Sequence, residues 1–126
     1  MVTTDVAQLS GECNAWRDIL RSRRNEFTHL KARLQEVAGR QTQRDVLLEV
    51  EHLYNQFHIQ LINIHDCKQA IKAHERKVSL ETTSPEGQVT DETLAEHENL
   101  HDEFQHLEHT LQELNDEFNQ FVAAVR

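Results

Sequence analysis

Two cysteines and nine histidines are the residues of this 126-residue chain best equipped for ligand chemistry. Five of them form one candidate constellation: Cys13, Cys67, His74, His97 and His101. Thiolate sulfur and imidazole nitrogen bind zinc tetrahedrally. His97 and His101, four residues apart, would present two nitrogens on one helix face. Such a set implies zinc or iron, with Cys13, Cys67, His97 and His101 as ligands and His74 as an alternate. The same residues also have an ordinary account. Free Cys packs as a small buried hydrophobe, and the spacing has no local finger signature. A Cys13–Cys67 disulfide is geometrically accessible but runs against a reducing compartment.

The other histidines, His29, His52, His58, His65, His106 and His109, fall on outward positions and receive no role. Glu49-x-x-His52 and Glu103-x-x-His106 imitate the pairs of di-iron carboxylate bundles. That site needs inward-facing ligands from four helices, and here both histidines face out. The sequence has no nucleophile elbow, phosphate loop or dinucleotide fingerprint. A narrow bundle also offers no deep cleft in which to shift a catalytic pKa. No catalytic or organic-cofactor residue is assigned, and an enzyme is not expected.

Three amphipathic segments must position the constellation. Apolar residues recur at alternating steps of three and four, which is the seam of a coiled-coil-like helix. The first seam runs Val6, Leu9, Cys13, Trp16, Leu20, Arg23, Phe27, Leu30, Leu34, Val37. The second runs Val46, Val50, Leu53, Phe57, Gln60, Ile64, Cys67, Ile71, His74, Val78, with Leu47, Tyr54 and Leu61 widening it. The third runs His97, Leu100, Phe104, Leu107, Leu111, Leu114, Phe118, Phe121, Val125. Candidate caps are Thr3, Thr4 and Asp5 for the first helix and a Thr42–Asp45 capping box for the second. Thr90 or Asp91 would cap the third, and Gly39 would be a C′ residue ending the first. The expectation is an all-α, up-down-up antiparallel three-helix bundle in a single domain, 1–126. Its helices are placed at about 5–38, 43–79 and 91–125, with a loop at about 80–90.

Antiparallel arithmetic about turns near residues 41 and 84 places Cys13 level with Cys67, and His74 near His97. It also sets Arg23 against Gln60, the odd polar residues of their seams. Such a layer would fix register, because slippage would bury each polar group alone. Alternatively Arg23 snorkels to water or to Glu108.

The net charge of −9 makes nucleic acid a poor partner unless charge is segregated. Segregation does occur: residues 5–40 hold seven basic against five acidic side chains, and residues 81–126 hold one against twelve. Pairing between helices is the plain account of this asymmetry. An acidic docking face is the functional one. No apolar run approaches the roughly 18 residues of a membrane span. No secretory leader is seen, and a cytoplasmic location with no membrane partner is expected. Leu48, Ile59 and Ile62, beside Tyr54, lie off the seam and form a candidate interaction patch for a protein partner or a homodimer through helix 2.

Helix 2 contains Glu51-His52-Leu53-Tyr54-Asn55-Gln56-Phe57 followed by His65-Asp66. Helix 1 has Asn14-Ala15-Trp16 and Leu30-Lys31-Ala32-Arg33-Leu34, and helix 3 closes on Glu117-Phe118-Asn119-Gln120-Phe121. This combination resembles a family of small bacterial cytoplasmic helical-bundle proteins with no assigned activity. The resemblance implies a small bacterial protein and carries no site residues. Trp16 in the first helix of a three-helix unit is also similar to spectrin repeats. The leading expectation is a structural or protein-interaction module; the alternative is a metal-binding bundle using Cys and His near one end.

Overall fold

The computed structural model describes residues 6–125 and comprises three helices, α1 (Val6–Ala38), α2 (Arg44–Thr82) and α3 (Asp91–Ala124). At 1.5 Å per residue these are about 50 to 60 Å long. Pairwise contacts give their directions. Phe27 packs on Phe57, and Lys31 lies over the Tyr54 ring at 4.6 Å, so α1 and α2 run antiparallel. His52 meets Glu117, and Lys77 meets Glu96, so α2 and α3 are antiparallel too. Trp16 against Phe104 and Arg23 against Glu108 leave α1 and α3 parallel. The expected up-down-up bundle is the architecture formed.

The seams explain why the helices pack. Every predicted seam position is buried or half-buried, because side chains three and four apart share one face. Phe27, Phe57 and Phe118 stack edge-to-face through the middle, at centroid distances of 5.7 and 5.5 Å. Such geometry contributes about 0.5–1.5 kcal/mol per pair beyond burial. Thr93 and Val122, outside the predicted seams, complete the core of α3. Leu47 and Tyr54 do not widen the α2 seam into the core; both are exposed.

The helix ends differ in detail from expectation. Thr3, Thr4 and Asp5 lie outside the described residues. Gly39 ends α1 without a left-handed backbone; Arg40 N and Gln41 N instead donate to the carbonyls of Val37 and Ala38. The N-cap of α2 is Gln43, which makes no side-chain cap bond, so the Thr42–Asp45 box does not form. Asp45 still sits in the first turn, where a carboxylate faces the positive end of the helix dipole. At its far end α2 continues to Thr82, three residues beyond the predicted end. There the hydroxyls of Thr82, Thr83 and Ser84 donate to carbonyls three residues back.

Gly87, at φ 64°, supplies the left-handed turn of the second loop. Thr90 caps α3 as predicted, accepting from Thr93 N. The Glu81 carboxylate clasps this end: Thr90 N donates to it at 2.8 Å and Thr93 Oγ1 at 2.6 Å. Those bonds stabilise the carboxylate and lower its pKa.

Arg23 and Gln60, predicted to share a polar layer, are hydrogen-bonded to other partners. The Arg23 guanidinium leans outward to Glu108 at 3.0 Å and Glu26 at 3.3 Å, the snorkelling alternative. Gln60 is buried and accepts from Asn63 Nδ2. A basic edge also runs between α1 and α2. Burial first, then Lys72, Arg24, Arg21 and Arg17, push the Lys68 pKa down.

Candidate metal centre

Each helix delivers one donor to a buried cluster at the end of the bundle nearest the α2–α3 loop. Cys13 comes from α1, His74 from α2 and His97 from α3. They are 1%, 4% and 6% exposed. His74 Nε2 lies 3.0 Å from His97 Nδ1, and Cys13 Sγ lies 4.0 Å from the same Nδ1. The ligand atoms of all three residues fall within 4.8 Å of one another. Among the described residues these three side chains are close enough together that one ion could contact all of them.

Register explains which predicted ligands converge. Helical side chains lean toward their own N-terminus and cover the turn before their Cα. Across an antiparallel pair, contacting residues therefore both lie further along the chain than level-matching suggests. Cys13 meets His74 instead of Cys67. The predicted nearness of His74 and His97 becomes a direct contact. Cys67 lines a surface groove with Gln60, Asn63, Asp66, Glu103 and His106, outside the cluster. His101 stacks on Trp16 at 5.6 Å, on the flank of the site. Trp16 also covers His97 at 4.8 Å and so closes the cluster on its α1 side.

The outer edges of the two imidazoles face carboxylates that sequence reasoning missed. His97 Nε2 lies 3.4 Å from Glu12 Oε1, and His74 Nδ1 lies 3.9 Å from Glu96 Oε2. Both nitrogens are buried, and neither makes a hydrogen bond. Glu12 and Glu96 immediately precede Cys13 and His97 in sequence, so an acid beside each predicted ligand was the available clue. Lys77 holds Glu96 at 2.7 Å, and Arg17 pairs with Glu75 at 2.6 Å beside the site.

Titration follows from this packing. Burial, then Glu75 and Glu12, push the Cys13 thiol up to about 11, with Arg17 opposing. Burial, then the neighbouring His97, lower the His74 pKa, with Glu96 opposing. These shifts favour the thiol form of Cys13 and the neutral form of His74. When both imidazoles are neutral, they share two protons among four nitrogens. One proton fills the His74–His97 hydrogen bond, and one outer nitrogen then faces its carboxylate bare. An ion on the inner donors would move both protons outward. This is the carboxylate–histidine–metal arrangement that orients ligating imidazoles.

Among the described residues, Leu48, Ile59 and Ile62 are 54%, 45% and 48% exposed on the outer face of α2. Tyr54 lies toward α1, beneath Lys31. No described helix is long and apolar enough to cross a membrane. No protein-family model matches the chain, and neither a curated protein nor a solved structure is significantly similar to it.

Proposed function

We propose that this bundle binds a single transition-metal ion through Cys13, His74 and His97. The observation that carries the reading is the convergence of three buried donors, one per helix, with both outer imidazole nitrogens unpaired and turned toward Glu12 and Glu96. One thiolate and two imidazoles suit soft and borderline ions and exclude magnesium and calcium, which take oxygen donors. No reaction is assigned; the activity proposed is binding. Native mass spectrometry of protein purified without chelator, then loaded with zinc, cobalt or copper, tests it. One ion per chain is expected, lost in Cys13→Ser and retained in Cys67→Ser. Glu12→Gln with Glu96→Gln should weaken binding about 10–100-fold. A chain that retains none of these ions would refute the reading.

A second reading, the non-enzymatic interaction module, has its own support in the exposed apolar stripe Leu48, Ile59 and Ile62. Self-association through α2 would cover it. Sedimentation of the wild type beside Ile59→Lys, Ile62→Lys decides it: a concentration-dependent mass abolished by the substitutions supports the reading, and a wild-type monomer removes it.

A further inference from the structure

We infer that the ion is monovalent copper, held three-coordinate by Cys13 Sγ, His74 Nε2 and His97 Nδ1. This rests on the reading of the cluster as a metal site and concerns which ion it takes.

The donor count is the first argument. Three ligand atoms converge, and every other candidate is committed elsewhere. Glu12 and Glu96 sit against the outer nitrogens, His101 stacks on Trp16, and Cys67 lines a different groove. Structural zinc sites close with four protein ligands, whereas three-ligand zinc sites keep an open fourth position for water. The described grooves beside this cluster run past Glu12 and Glu96, on the outer sides of the imidazoles. Cys13, His74 and His97 are 1%, 4% and 6% exposed as whole residues, and even the outer imidazole nitrogens are buried. Monovalent copper, a soft ion matched to thiolate, is satisfied by few ligands and needs no water there.

Charge is the second argument. A thiolate with two neutral imidazoles carries one negative charge, which a monovalent ion cancels. A divalent ion would leave one positive charge on its ligands, with Glu12 and the Lys77-paired Glu96 as counter-charges beyond the imidazoles.

Loading balances without electron transfer. As the S–Cu bond forms, the Cys13 proton leaves to solvent. The proton between the imidazoles gives way to a tautomer with N–H groups facing Glu12 and Glu96. Copper enters and stays monovalent.

The test is anaerobic competition, with reductant present, against the coloured complex of monovalent copper with bicinchoninate. One copper per chain should be withdrawn, and excess zinc should not displace it. Copper X-ray absorption should report three N/S neighbours. Cys13→Ala, checked for retained helicity, should lose this binding, and Cys67→Ser should keep it. If zinc binds one per chain while copper stays with bicinchoninate, this inference fails and the metal reading stands. If neither ion binds, both fail. Copper binding lost in Cys67→Ser would also overturn the assignment.

Discussion

The ion-free cluster makes a stability prediction that does not depend on which ion it takes. His74 and His97 are each nine-tenths or more buried and hydrogen-bonded to one another at 3.0 Å. Replacing His74 alone with Leu leaves the His97 Nδ1 side buried without its partner. Replacing His97 alone with Phe does the same to His74 Nε2. An unsatisfied buried polar group costs about 1–3 kcal/mol, so each single variant should lose that much. Replacing both removes the unsatisfied atoms and adds apolar surface of similar shape. Such exchanges are close to neutral or stabilising, so the double variant should fall within about 1 kcal/mol of wild type. The coupling should thus be about 1–7 kcal/mol, its lower part within the roughly 0.5–3 kcal/mol usual for groups in direct contact. The assay is urea unfolding of the chelator-treated protein, followed by far-UV circular dichroism. For a chain between the 100- and 150-residue classes, 1 kcal/mol shifts the melting temperature by about 4 °C, so a thermal scan gives an independent check. If the double variant loses the sum of the singles, the coupling is zero and the two imidazoles do not satisfy one another, which would refute the reasoning from their 3.0 Å contact.

Other predictions follow from the same geometry. The folded state depresses the His74 pKa, so the unfolded chain binds more protons; stability should be full above about pH 6.5 and fall as pH drops below it. Urea midpoints from pH 7.5 to 5.5 check this, and the slope should flatten in the double His variant. Phe57→Ala removes the central ring of the Phe27–Phe57–Phe118 stack and should cost about 3–5 kcal/mol by the same unfolding assay. Thr90→Ala deletes the α3 cap and should cost about 1 kcal/mol, with faster amide exchange at Thr93. Arg23→Met should change stability by about 1 kcal/mol or less, because the ion pair with Glu108 is partly exposed.

The architecture was readable because alternating steps of three and four admit few alternatives over helices this long. The seam residues from Leu9 to Leu34, Leu53 to Val78 and Phe104 to Phe121 are buried or half-buried as their spacing requires. Register was less readable. Level-matching treats side chains as points on the axis, whereas they lean about one position toward the N-terminus. That displacement moves the α2 partner of Cys13 by about two residues, part of the step from Cys67 to His74. The hydrogen-bond partners of Arg23 and Gln60 were illegible for a different reason. Arg23 has a stem long enough to carry its charge out to Glu108, so it imposes no demand on Gln60. Glu12 and Glu96 escaped notice because they lie just off the seams, where acids are plentiful. Only the packed imidazoles reveal which of the many carboxylates face a buried nitrogen.

The segregation of charge bears on how the molecules meet in solution. A protein of net charge −9 ordinarily repels its copies. Here the basic side chains around Lys68 lie along the α1–α2 edge, while one residue in four from 81 onward is acidic. The bundle is thus an elongated body with a transverse electric dipole. Over distances shorter than the screening length, about 10 Å at 0.1 M salt, one molecule's α3 is attracted to its neighbour's basic edge. Weak orientation-dependent attraction should therefore coexist with net repulsion at low ionic strength. Added salt should screen the longer-range repulsion first, so light scattering should show net repulsion falling between very low and moderate ionic strength while the short-range attraction persists.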